Sequence, residues 1–293
     1  MTVQTYYKIH SPVTDPGAYS ALYDGLPDDI GSISAAVRGL LVHYNGIGYQ
    51  APIDRIGEVD TRLVAAMLQR IVELDDRPLD QARPFDQRLV GCCRDYAVLT
   101  VSILRHKGVP ARVRYGAAAY FVPGYFMDHV ILEYWNGERW VAVDAELDAY
   151  LIEHHKIGFD PFDVPDDQFI RGGRAWLMCR EEGFDPLLFG LGPGSDLRGW
   201  SEIVVEMRND LAALNRMEML CWDVWGIESP YETGNEDDKL LLDEVARATL
   251  ANTRFVQWQS LFQHNKLRLP DTISSFTPAA PPERLPITVQ LDF

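Results

Sequence analysis

Cysteine is scarce in this chain, with four in 293 residues. That is too few for the dense disulfide scaffold of a small secreted domain. No apolar run reaches the ~20 residues that a membrane-spanning helix needs. The first residues, Met1 to Lys8, have no cationic start followed by an apolar stretch, so they do not read as a signal peptide. Positive charge is also in short supply: 27 Lys and Arg face 43 Asp and Glu, a net charge of −16. This balance argues against nucleic acid and anionic membranes as partners and mildly favours neutral or cationic ligands. No internal repeat or low-complexity block is evident. The expected setting is cytoplasmic, which also keeps thiols reduced.

What is present begins at Gly91-Cys92-Cys93-Arg94-Asp95-Tyr96-Ala97, which opens an apolar run ending at Gly108-Val109-Pro110. A cysteine stands where that helix should start. A helix N-terminus aims unpaired N–H groups and the positive end of its dipole at that position. Such surroundings favour thiolate, the nucleophilic form, so Cys93 is a candidate activated nucleophile.

About forty residues on, two β-rich runs flank Asn136-Gly137, a strong hairpin signal. A two-residue loop would set Trp135 opposite Glu138, Glu133 opposite Trp140, Ile131 opposite Ala142 and His129 opposite Asp144. Directly opposed residues share a face with Cβ atoms ~5 Å apart. An imidazole then lies beside a carboxylate, although a one-residue slip would separate them. Cys, His and Asp in this order form a nucleophile, general base and orienter set.

These blocks resemble the core of the transglutaminase-like superfamily. The residues that carry the resemblance are Gly91-x-Cys93-Arg94-Asp95-x-Ala97, Leu104-Arg105, Gly108 to Arg112, His129 with Glu133, and Trp140-Val141-x-Val143-Asp144. They cover roughly residues 85–150, about a quarter of the chain. The resemblance implies Cys93 as nucleophile, His129 as base and Asp144 as orienter. It also implies an α+β fold with a papain-like core, in which a buried helix with an N-terminal Cys packs on an antiparallel sheet. Cys92 falls on the pattern's variable position. Asn215 to Gly226 resembles a block of bacterial members that carry a helical C-terminal extension. Three parts are therefore expected, which one compact domain could also hold: a mostly helical 1–84, the catalytic core 85–165 and a mostly helical 166–293.

The other residues with chemistry are less sharply defined. Gln87, six residues before Cys93, has the spacing of the oxyanion-hole glutamine of papain-like proteases, but reads more simply as a solvated loop residue. Tyr49 and Gln50 are weaker candidates for that role. Tyr125 and Phe126, in the aromatic segment before His129, could line a substrate pocket or pack in the core. Glu218 and Asp223 could hold a cationic group, but read more simply as surface. Cys92, Cys179 and Cys221 read as core residues. Adjacent Cys92-Cys93 lacks the two-residue spacing by which two thiolates chelate one ion, and no second pair follows, so neither metal nor cofactor is expected.

The sequence thus points to a cysteine-dependent acyl-transfer enzyme acting on a peptide, amide or thioester substrate. A non-catalytic binding module on the same scaffold is the alternative. Helices are expected over Asp29 to His43, Thr61 to Leu74 and Cys93 to Lys107, and again near Gln168 to Glu181, Glu202 to Asn215, Asp238 to Thr253 and Thr253 to His264. Strands are expected near Ala111 to Tyr120 and at Ile287 to Leu291.

Overall fold

A computed structural model describes residues 1–47, 51–227, 229–251, 255–279 and 286–291. Helix α1 (Val3–Tyr7) leads through a 3-10 turn to α2 (Ile30–Leu40), where the Asp29 carboxylate accepts the Ser32 N–H at 2.8 Å. The chain passes straight into strand β1 (Leu41–His43); α3 (Val64–Leu74) and β2 (Leu89–Gly91) follow. The helix expected to reach His43 thus stops at Leu40. Its last residues are drawn into a parallel ladder with β2, Leu41 opposite Leu89 and His43 opposite Gly91. No side chain caps α3: the Asp60 carboxylate, just upstream, takes the Trp222 indole N–H and the Thr277 hydroxyl instead.

Next come α4 (Cys93–His106) and three consecutive strands, β3 (Ala111–Val122), β4 (Tyr125–Trp135) and β5 (Trp140–Val143). Then follow α5 (Ala149–His155), β6 (Phe169–Arg171), α6 (Gly172–Glu181), β7 (Phe189–Gly190) and α7 (Trp200–Leu214). The last elements are β8 (Asp223–Val224), α8 (Pro230–Thr233), α9 (Glu236–Leu250), α10 (Phe255–Phe262), β9 (Thr272–Ser275) and β10 (Ile287–Gln290). The main sheet has the order β5-β4-β3-β6, with β7 also pairing with β4. Among the described residues no helix is long and apolar enough to cross a membrane.

The period-2 alternation of β3 decides the layering. Val113 and Tyr115, with Val130, Leu132, Val141 and Val143, join α4, α2 and α3 in one apolar core. Every α4 residue from Cys93 to Arg105 is buried, as an all-round apolar helix requires. Arg112 and Arg114 point the other way, toward α7, where Arg114 meets Asp210 in two bonds of 2.8 Å. A second core of α6, α7, α9 and α10 covers that side. Gly116 is required where β6 crosses β3, because a Cβ there would lie 2.2 Å from the Ile170 carbonyl oxygen.

The β4–β5 hairpin forms with a register two residues from the expected one. Trp135 pairs with Trp140 and Glu133 with Ala142. Asn136 is the reason. Its side-chain oxygen accepts the N–H groups of both Glu138 and Arg139 at 2.9 Å, which builds a four-residue loop instead of a two-residue turn. A shift of two preserves strand parity, so His129 and Asp144 stay on one face. They meet diagonally, within the reach of cross-strand neighbours, because β5 ends at Val143 and the Asp144 N–H turns to the Pro161 carbonyl at 2.9 Å.

Candidate active site

The first turn of α4 is held by a capping box. The Asp95 carboxylate accepts the Cys92 N–H at 2.9 Å, and Cys92 occupies the N-cap position, which leaves Cys93 as the first helical residue. Gly91 is needed here because a Cβ would stand 2.8 Å from an Asp95 oxygen. Arg94 ties this turn to two distant segments. Its guanidinium donates to Asp95 at 2.9 Å, to the Arg62 carbonyl at 2.8 Å and to the Glu218 carbonyl at 2.5 Å. The Cys-Arg-Asp run thus consists of one residue at the helix start and two that fix where that start lies.

His129 Nε2 lies 2.8 Å from Asp144 Oδ2. That carboxylate also accepts the Tyr120 hydroxyl at 2.6 Å on the same oxygen and the Glu146 N–H at 3.0 Å on the other. The Phe121 ring stands edge-on to the imidazole, 5.0 Å between centroids. Burial alone would lower the His129 pKa, but the Asp144 carboxylate outweighs it and raises it. Burial likewise acts to raise Asp144, and His129 with Tyr120 outweighs it, so Asp144 sits below the ordinary carboxylate range. With Nε2 taken, Nδ1 is the ring nitrogen left for a proton from a nucleophile.

Cys93, 8% exposed, and His129 both line a cavity of about 910 Å³. Its wall includes Phe121, Val122 and Met127, so the aromatic segment does contribute, but through these residues. Tyr125 and Phe126 are not among the lining residues: Tyr125 is buried, and Phe126 stacks on Phe189 at 4.4 Å. Gln87 is absent from the wall as well. It ends a single 3-10 turn, half-buried, while its neighbours Phe85 and Arg88 reach the cavity. Tyr49 and Gln50 lie outside the described residues. Tyr44, not singled out by the sequence, lines the cavity, and burial and then the nearby sulfurs keep its phenol protonated.

Cys92, buried at 2% exposure, and Cys221, packed against the main core, also line the cavity beside Cys93. Hydrogen bonds from Cys221 and then Cys93 hold Cys92 well below the ordinary thiol range. Cys221 acts to lower Cys93 too, but the Cys92 sulfur and burial outweigh it and leave Cys93 raised. Cys179, on α6, packs in the second core, away from the cavity. Glu218 and Asp223 are structural. Glu218 is buried against Arg105 at 3.0 Å and the Ser11 hydroxyl at 2.7 Å, and Asp223 against Arg62 at 2.6 Å.

Carboxyl groups do reach the cavity elsewhere, at Asp128 and Glu202, with Glu206 buried behind them. Burial, then Asp128, pushes Glu202 up to about 7 against Arg208. Its ordinary value is 4.5. Between these values the folded protein holds a proton that the unfolded chain has released, so stability falls as pH rises through that window. Glu202→Gln should therefore melt higher than the parent at about pH 8 and lose that advantage near pH 4. An equal shift at both pH values would contradict this.

A family pattern described as the transglutaminase-like superfamily matches residues 63–145. That span holds α3, α4, the three-strand meander and all of Cys93, His129 and Asp144. The chain carries a transglutaminase-like domain. The match begins in the residue before α3, well upstream of the motif at Gly91, and ends one residue past Asp144. Helices α6 to α10 lie beyond the transglutaminase-like match. No curated protein matches the chain. Among solved structures, a protein from Cytophaga hutchinsonii proposed to be a cysteine protease is similar at 16% identity with a TM-score of 0.33. The overlap covers 50% of this chain and 43% of that one.

Proposed function

We propose that this transglutaminase-like chain is a cysteine-dependent acyl-transfer enzyme that works through a Cys93–His129–Asp144 triad and a thioester acyl-enzyme. The family match supports a cysteine-based enzyme in general terms. The observation that carries the finer reading is the 2.8 Å His129–Asp144 contact on the wall of the cavity that Cys93 also lines.

In this reading Asp144 fixes the imidazole with its proton on Nε2, so Nδ1 accepts the Cys93 proton. The sulfur then attacks an amide or thioester carbonyl. The backbone N–H of Cys93, at the start of α4, stabilises the oxyanion in this reading. The Tyr44 phenol is a second donor in the same cavity, and replaces Gln87 as the side-chain candidate. When the tetrahedral species collapses, the imidazolium returns its proton to the departing amine or thiol. Water or an amine next attacks the thioester, with His129 again as base, and Cys93 is released.

Reduced protein incubated with a panel of amide and thioester donors, then acid-quenched, should gain the acyl mass on the peptide containing Cys93. Hydroxylamine should remove it, and His129→Ala should prevent its accumulation. An adduct on another residue, or no adduct with any donor, would overturn the reading and favour a binding module.

A further inference from the structure

The approach of Cys221 to the Cys92-Cys93 pair has a consequence beyond acyl transfer. The three sulfurs all lie within 4.8 Å of one another, and all three cysteines are free. Thiolates bound tetrahedrally to zinc at ~2.3 Å sit ~3.8 Å apart, so the cluster needs only a small contraction to hold an ion. Adjacent cysteines cannot close such a site by themselves. Cys221, supplied from beyond α7, provides the third corner.

Both segments are also fixed by bonds that do not use the sulfurs. The Asp95 carboxylate accepts the Cys92 N–H at the start of α4. The turn bearing Cys221 is held by Arg94 on the Glu218 carbonyl, by the Tyr115 hydroxyl on the Met219 carbonyl and by the Leu220 N–H on Asp223 at 3.1 Å. The fold therefore brings the thiols together, and hydrogen bonds among the sulfurs add to it. The positive end of the α4 dipole helps to offset the charge that three thiolates around one divalent ion would carry. All three residues line the cavity, so a fourth coordination position faces a space where water can sit. A donor set of sulfur alone selects against calcium and magnesium, which need oxygen ligands.

We propose that Cys92, Cys93 and Cys221 form a three-thiolate site for a thiophilic divalent cation of the zinc class, and that occupancy masks Cys93. The masking of catalysis rests on the triad reading above; the binding site does not. Each thiol binds as thiolate and yields its proton to solvent, so uptake strengthens as pH rises.

The test is spectroscopic and needs no acyl chemistry, so it succeeds or fails apart from the proposed activity. Reduced, chelator-treated full-length protein is titrated with cobalt(II), and sulfur-to-cobalt charge transfer is followed. One equivalent should bind and be displaced by zinc. Cys221→Ser should weaken binding at least ~100-fold, and Cys179→Ser should leave it unchanged. If Cys221→Ser fails to fold, site-resolved maleimide labelling of the unsubstituted protein replaces it. Zinc should then protect Cys92, Cys93 and Cys221 together, and not Cys179. Absence of charge transfer, binding indifferent to Cys221→Ser, or zinc that protects none of the three overturns the proposal.

Discussion

Asp144→Asn should leave the protein folded and slow acyl transfer about 10³- to 10⁴-fold. The argument is a count of donors. Asp144 accepts from His129 and Tyr120 on one oxygen and from the Glu146 N–H on the other. A carboxylate accepts on both sides, whereas an amide has one acceptor and one donor. Asparagine must therefore turn its NH2 toward Glu146, where it meets another donor, or toward His129. In the second case the imidazole proton moves to Nδ1, the nitrogen that must receive the Cys93 proton. Steady-state rates on whichever donor acylates the parent, alongside circular dichroism, check this. A loss below about tenfold would mean that Asp144 does not set the tautomer.

Glu133→Gln should cost the fold about 3–5 kcal/mol. Glu133, buried on β4 four residues after His129, faces three guanidinium groups. It accepts from Arg112 at 2.7 Å, Arg114 at 3.2 Å and Arg171 at 2.6 Å. Burial would raise its pKa, but these three cations hold it well below the carboxylate range. The amide keeps the shape and removes the charge that faces the buried Arg112 and Arg114 and the half-buried Arg171; Arg114 keeps Asp210 and Arg171 keeps the exposed Asp166. Arg112 also packs over Trp140, 4.2 Å from its ring centroid, so loosening it disturbs β5 just before Asp144. Urea unfolding should show the midpoint fall, while Glu138→Gln, on the exposed hairpin loop, leaves it in place. Equal midpoints for the two variants would rule out Glu133 as the pin of the sheet.

What could be read in advance followed the range of the interaction. The placement of His129 beside Asp144 rested on parity, a local property, and parity survived a loop two residues longer than expected. The buried α4 was legible because its apolar character runs all round. The end of α2 was not, since a parallel strand 48 residues later captured Leu41 to His43. Composition left Tyr125 and Phe126 between pocket and core; strand geometry and the Phe189 stack keep both off the cavity wall. Cys221 and Tyr44 reach the cavity only through tertiary packing, and nothing near them in sequence announces it. Glu218 and Asp223 looked like surface acids because their partners, Arg105 and Arg62, lie more than a hundred residues away. Gln87 had the right spacing for an oxyanion donor, but Phe85 and Arg88 take the cavity-facing positions around it.

The central claim, that Cys93 is the nucleophile activated by His129, is tested most directly by site-resolved alkylation. Metal-free protein is pulsed with iodoacetamide near neutral pH and the four cysteines are quantified by peptide mass spectrometry. The neighbouring sulfurs favour the thiolate on Cys92 rather than Cys93, so Cys93 reacts first only if it passes its proton to His129. Cys93 should therefore be modified first, and His129→Ala should slow it. Modification of Cys92 ahead of Cys93, or a Cys93 rate indifferent to His129→Ala, would contradict the account.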